Sequence, residues 1–213
     1  MKITKALLAL AVSVSAAIAP TAFAQSTDLS MTGRILPGAC VVELGGGGIA
    51  DLGSIRADTL NAEEPTVLEP VALPIVVTCD GEARFAFQGS DNMRDSSTRP
   101  DRYGLGFTAN EEKIGHVNLL VADVVADGAP GFGTHSVDNG VTWGNSTPGG
   151  NYSLGMYELL GFAKADAVAT GPAAIESLQG TLNVWAHIRP AAELTLTDEV
   201  QVNGSASVNI VYL

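Results

Sequence analysis

Residues 71–79 read VALPIVVTC, and Val71, Leu73, Ile75 and Val77 lead to Cys79 with a period of two. Successive side chains of an extended chain point to opposite faces, whereas an apolar helical stripe recurs every 3.6 residues, so this spacing predicts a half-buried strand. The alternation recurs on both sides: Leu29, Met31, Gly33 and Ile35 before Cys40, Arg84 to Gln88 after Cys79, then Leu182, Val184, Ala186 and Ile188, and last Val208, Ile210 and Tyr212. Gly, Pro, Asp and Asn bound these runs, and Asp80-Gly81 and Asp138-Asn139-Gly140 read as turns. Residues 152–163 fit two periods, with Met156, Leu159, Leu160 and Ala163 as a helical stripe or Tyr152, Leu154 and Met156 as a strand, and the strand is preferred. Many short strands separated by turns predict an all-β chain folded as an antiparallel β-sandwich.

The composition agrees with a globular protein: of 213 residues 46% are hydrophobic and 16% charged, which excludes a disordered chain. No internal repeat, charge block or long Pro/Gly/Ser linker divides it. Eleven Lys and Arg stand against 23 Asp and Glu, a net charge of −12, with the cations scattered, so a nucleic-acid partner is not expected. At the N-terminus Lys2 and Lys5 form a basic region, Ala6 to Ile18 an apolar run too short to span a bilayer comfortably, and Ala22-Phe23-Ala24 a small-residue cleavage site before Gln25. Residues 1–24 are therefore expected to be a secretory signal peptide and residues 25–213 a single domain, exported and not inserted into a membrane. In an oxidising compartment the isolated pair Cys40 and Cys79 is expected to form one disulfide, since no third ligand for a metal stands near them.

Catalytic and cofactor chemistry has no positive signal. Gly45 to Gly48 lack the Lys-Ser/Thr of a phosphate loop and read as a hairpin turn. His116, His135 and His187 lie on separate segments without paired-ligand spacing. His135, Ser136 and Asp138 are sequence neighbours, but a triad is assembled in space and no Gly-x-Ser-x-Gly elbow is present, so a polar loop is preferred. Asp123, Asp127 and Asp138 flank turns without the ordered spacing of a calcium loop. No enzyme activity, cofactor or metal is expected.

Four segments together resemble the subunits of chaperone-usher pili, and within that family its poorly characterised fimbrial-like branch. Residues 28–40, DLSMTGRILPGAC, look like the first pilin strand, running through a Gly to the first disulfide Cys; residues 51–55, DLGSI, resemble the next strand; residues 73–80, LPIVVTCD, resemble the strand carrying the second Cys; and residues 204–213, GSASVNIVYL, have the alternating ladder and penultimate Tyr of a pilin C-terminus. Residues 91–179 carry no such motif. The resemblance implies an immunoglobulin-like sandwich lacking its last strand, with a hydrophobic groove beside the C-terminal strand. It also implies partners: a periplasmic chaperone that lends a strand to the groove, an outer-membrane usher, and neighbouring subunits whose N-terminal extensions replace the chaperone's strand by β-addition. Val208, Ile210 and Tyr212 would form the docking ladder and the Leu213 carboxylate its anchor. Periodicity alone fits equally an ordinary core strand of a complete sandwich.

One departure qualifies the role. Only Gln25-Ser26-Thr27 precede Asp28 after the cleavage site, too short a donor to fill about five alternate pockets at ~3.3 Å per residue, unless Leu29 to Ile35 detach to serve. The expectation is thus a non-enzymatic structural or minor, terminal subunit of a surface fimbria. The competing expectation is a secreted or periplasmic ligand-binding β-sandwich outside any fibre, using Gly-rich loops and aromatics such as Trp143 or Tyr103.

Overall fold

Alternating apolar and polar residues dictate extended chain, and the computed structural model, which describes residues 39–144, 150–164 and 170–213, holds strands and short 3-10 turns but no α-helix among those residues. The strands are β1 (Cys40–Leu44), β2 (Thr66–Val67), β3 (Val71–Asp91), β4 (Tyr103–Gly104), β5 (Gly115–Ala126), β6 (Ala129–Pro130), β7 (Phe132–Ser136), β8 (Tyr152–Ser153), β9 (Leu159–Ala163), β10 (Ala174–Ile188) and β11 (Ala206–Tyr212). Every pairing between them is antiparallel. The described residues belong to one unit, Ile35–Leu213. The expected signal peptide and the first-strand residues Leu29, Met31, Gly33 and Ile35 lie outside the described residues.

The organising element is β3. Ile75 to Thr78 pair with β10 on one edge and β1 on the other, while Ala86 and Phe87 pair with β9 on one edge and β11 on the other. The first half thereby belongs to a sheet continued by β10, β5 and β4, and the second half to one continued by β9 and β7, so the antiparallel sheet curls over itself in the sandwich manner. Leu73, Ile75 and Val77 of the first half and Phe85 and Phe87 of the second are all buried, and all occupy odd positions. Phe87 meets Phe162 of β9 edge to face, with centroids 6.3 Å apart, and β9 is buried along its whole length.

Three expectations are corrected. Asp80-Gly81 is not a turn and β3 does not end at Cys79. The register passes from Thr78 opposite Ser177 to Ala83 opposite Ile175, so Cys79–Glu82 face Glu176 alone. A chain reversal there would withdraw Ala83, Phe85 and Phe87 from the core, so the Asp-Gly pair instead forms the bulge at which one strand bends from the first half-sheet into the second. Gly45–Gly48 form a 3-10 turn that closes β1, with Gly46 and Gly47 at φ 63° and 67°, but no paired strand follows, so it is no hairpin. Residues 51–55 are not a strand either: the Gly53 N–H donates to Asp51 Oδ1 at 2.8 Å, a local turn that competes with a ladder. In residues 152–163 the preferred extended reading holds for β8 and β9, while Met156 lies in a bend between them.

Cys40 and Cys79 stand directly opposite in the β1–β3 register and are joined by a disulfide, with Cα atoms 3.9 Å apart. The bond sits at the bend of β3.

Candidate functional site: the β11 edge and its groove

Strand β11 lies along Phe85–Asp91 of β3 in unbroken register, and no strand pairs with its other edge among the described residues. Its alternation in burial is only partial, because Ser207 and Val211 are half-buried as well as Val208, Ile210 and Tyr212. Val208, Ile210 and Tyr212 are partly buried against the core, while Asn209 is exposed and its Nδ2 donates to the Gln88 carbonyl at 3.2 Å and to Ser90 Oγ at 2.9 Å. The backbone N–H of Leu213 donates to the Arg84 carbonyl at 3.0 Å, and the Leu213 side chain remains 43% exposed.

At the start of this strand, by Ala206 and Val208, a groove of about 980 Å³ opens over the β5–β10 sheet. Leu73, Leu119, Leu182 and Val184 line one wall, with Tyr103, Leu105 and Val208 among the other lining residues, and chain segments 48–55 and 198–202 also border it. The misassigned segment 51–55 therefore contributes to the rim of the groove. Tyr103 reaches under β3 because Gly89, the residue opposite Val208, has no side chain: a Cβ there would collide with the phenol. The Tyr103 hydroxyl donates to the Leu154 carbonyl at 2.7 Å, and burial, reinforced by the Asp91 charge, pushes its pKa well above the usual phenol range, which keeps it a neutral donor. An edge that no strand pairs among the described residues, next to a groove with one apolar wall, is chemically suited to the addition of an extended segment whose alternate side chains enter the groove.

At the end of β11 the Tyr212 hydroxyl accepts the Cys40 backbone N–H at 2.6 Å. The sequence offers no local signal for this contact, because it depends on β11 ending where β1 begins at the bend of β3.

The remaining candidates have local partners. Ser136 Oγ donates to Asp138 Oδ1 at 2.7 Å, whereas His135 Nε2 meets the Ser153 carbonyl at 3.1 Å, so the Ser, His and Asp do not form a relay. Hydrogen bonds from the Thr142 hydroxyl and N–H and from Ser136 hold the Asp138 carboxyl at a pKa of about 2. Asp127 accepts the N–H groups of Glu176 and Ser177 and pairs with Lys164 at 2.7 Å. His116 and His187 are brought together and His135 is not, and no cluster of three metal-ligating side chains exists among the described residues. No helix among those residues is long and apolar enough to cross a membrane.

Two likenesses to known proteins accompany this geometry. The chain matches, over residues 29–102, a family described as a protein of unknown function (DUF1120), a span that includes both cysteines and all of β1 to β3 and stops just before β4. Over almost its whole length it is similar to Protein GltF of Escherichia coli (strain K12), 23% identical over an alignment 254 positions long, gaps included, that covers 99% of this chain and 98% of the relative.

Proposed function

We propose that this chain is a non-enzymatic structural or minor subunit of a chaperone-usher surface fimbria, exported through the inner membrane and completed at its β11 edge by a strand from another protein. The observation that carries this reading is a groove of about 980 Å³, with an apolar wall of Leu73, Leu119, Leu182 and Val184, at the start of a strand paired on one edge only among the described residues. Exposed apolar edges template aggregation, so a fold of this kind requires a partner that supplies the missing ladder. In the periplasm the partner is a pilus chaperone, and in the fibre it is the extended segment of a neighbouring subunit delivered at the usher. The Cys40–Cys79 disulfide suits the same oxidising route.

The test is expression of the mature chain with and without a pilus chaperone encoded beside its gene. The expected result is a self-associating or unstable protein alone and a soluble one-to-one complex with the chaperone. A monodisperse monomer that unfolds cooperatively at high temperature without any partner would overturn the reading in favour of a ligand-binding sandwich outside a fibre. One observation favours that second reading, a polar recess on the far face of the β5–β10 sheet.

A further inference from the structure

In the β5–β10 register His116 stands opposite His187 and Asn118 opposite Trp185. Their neighbours Val117, Leu119, Val184, Ala186 and Ile188 are buried, so these four side chains lie on the outer face of the sheet. The two imidazoles stack with centroids 4.7 Å apart and planes 7° from parallel. Each is fixed at an edge: His116 Nδ1 meets Thr98 Oγ1 at 2.8 Å, and His187 Nε2 meets Asn118 Nδ2 at 2.9 Å. This pair lines a recess of about 700 Å³ bordered by Glu63, Arg99, Lys113, Arg189 and Glu193.

The charge here runs against that of the whole chain. Cations gather around the histidines in a protein of net charge −12, while Arg56, Arg84, Arg94 and Lys164 stand elsewhere. The Lys113 ammonium rests on the Ser97 carbonyl at 3.0 Å and has no carboxylate within ion-pair distance among the described residues. Arg99 and Arg189 pair with Asp101 and Glu193 in solvent, where such pairs are weak and exchangeable. The histidines are held neutral by burial first, and by the positive charges of Arg99 and Arg102 next to them, so they add hydrogen-bonding nitrogen but no charge. Glu63 and Glu193 on the border oppose a polyanion. The size lies within the range of small-ligand sites, roughly 300–1,000 Å³.

We propose that this recess binds a small organic carboxylate carrying one negative charge, with Lys113 and Arg189 gripping the carboxylate and Asn118 and the stacked histidines contacting the remainder of the molecule. Ammonium and guanidinium donors to a carboxylate form the stronger, charge-assisted class of hydrogen bond. The inference is independent of the strand-addition reading, because the groove and the recess lie on opposite faces of the same sheet.

The test is an NMR titration of the mature chain, residues 25–213, taken as whichever soluble folded form expression yields, the monomer or the complex with its chaperone, with D-glucuronate, with D-glucose as the neutral probe of equal size and inorganic sulfate as the plain anion, followed through the His116 and His187 ring resonances. Saturable shifts with glucuronate, none with glucose and weaker ones with sulfate are expected. The substitutions Lys113→Gln and Arg189→Gln should each weaken glucuronate binding roughly tenfold or more, while Arg84→Gln, at a distant cation, leaves it unchanged. Amide spectra of the variants report folding separately. Equal shifts with glucose, shifts with sulfate alone, no shifts with glucuronate, or equal weakening by Arg84→Gln would overturn the proposal.

Discussion

The Cys40 N–H and the Tyr212 hydroxyl, 172 positions apart in the chain, meet at 2.6 Å at the point where β3 bends. Strands β1 and β11 run antiparallel to the two halves of β3, so the last residues of the ladder abut the first of β1. The disulfide closes the same corner from the other side of the Cys40 residue.

Removing the hydroxyl alone, in Tyr212→Phe, leaves the half-buried Cys40 N–H without its acceptor while the ring packing stays. The expected cost is about 1 kcal/mol in urea unfolding, typical of one hydrogen bond. Tyr212→Ala, which also removes a ring packed on the core, should cost more. An unchanged urea midpoint for Tyr212→Phe would show that water serves Cys40 equally well.

The disulfide closes a loop of 39 residues in sequence separation, and constraining the unfolded chain to that extent stabilises by about 4 kcal/mol on the chain-entropy estimate. Denatured, unreduced protein should therefore show no reactive thiol, and the Cys40→Ala/Cys79→Ala double variant should lose about that amount of stability. Two labelled thiols per chain before reduction would contradict the bond.

Strand character was legible wherever one face is buried, because period two follows directly from the pleat: Leu73, Ile75 and Val77, Leu182 and Val184, and the β11 ladder all read correctly. What sequence could not show is where strands end. Asp80-Gly81 has the residues of a turn, yet the core phase continues through it to Phe87, and only tertiary packing decides between reversal and bulge. Asp51 to Ile55 alternate weakly and lose their ladder to a local Asp51–Gly53 hydrogen bond. Within the candidate site, periodicity and resemblance pointed to Val208, Ile210 and Tyr212, of which Val208 lines the groove, whereas Gly89, Tyr103 and the pairing of His116 with His187 depend on cross-strand register, which leaves no mark on neighbouring residues.

Gly89 tests how tightly the groove is built. A methyl group at this position would collide with the Tyr103 phenol, whose hydroxyl is committed to Leu154. Gly89→Ala is expected to destabilise by roughly 1–3 kcal/mol, as overpacking of a filled core does. Thermal unfolding of Gly89→Ala in the Tyr103→Phe background should recover part of that loss, and full additivity of the two changes would argue that they do not touch.

The stacked histidines predict an acid-sensitive window. Burial, then the adjacent His187, lower the His116 pKa from 6.5 to about 4, and Arg99 and Arg102 act in the same direction against Asp101. Between these values the unfolded chain binds a proton that the folded chain refuses, so stability from this group is complete near pH 7 and falls as the pH drops from about 6.5 to about 4. Asp138, with its carboxyl held at about 2, acts in a lower window: its contribution is present above the ordinary aspartate value of 3.8 and is lost as the pH falls through about 2. His116→Gln should reduce the fall of the unfolding midpoint between pH 6.5 and 4, and His116→Gln/His187→Gln should reduce it further, because burial lowers the His187 pKa as well. A wild-type midpoint that does not change across that interval would refute the histidine assignment.

The ladder itself gives the sharpest discrimination for the proposed function. Val208→Asp/Ile210→Asp places charge on the face of β11 that packs toward the core, with Val208 also lining the groove, where these half-buried side chains contribute less than the roughly 1.5–3 kcal/mol of a fully buried one. Asn209→Asp puts the same charge on the exposed face, at the cost only of its contacts with Gln88 and Ser90. Capture by the chaperone, measured by pull-down from the soluble fraction, should be abolished by the first change and nearly preserved by the second. Because the paired substitution also strains the core, the single change Val208→Ala serves as a milder probe that should reduce capture without loss of soluble protein. Equal capture by Val208→Ala, Asn209→Asp and the unaltered chain would show that a partner does not dock along this edge.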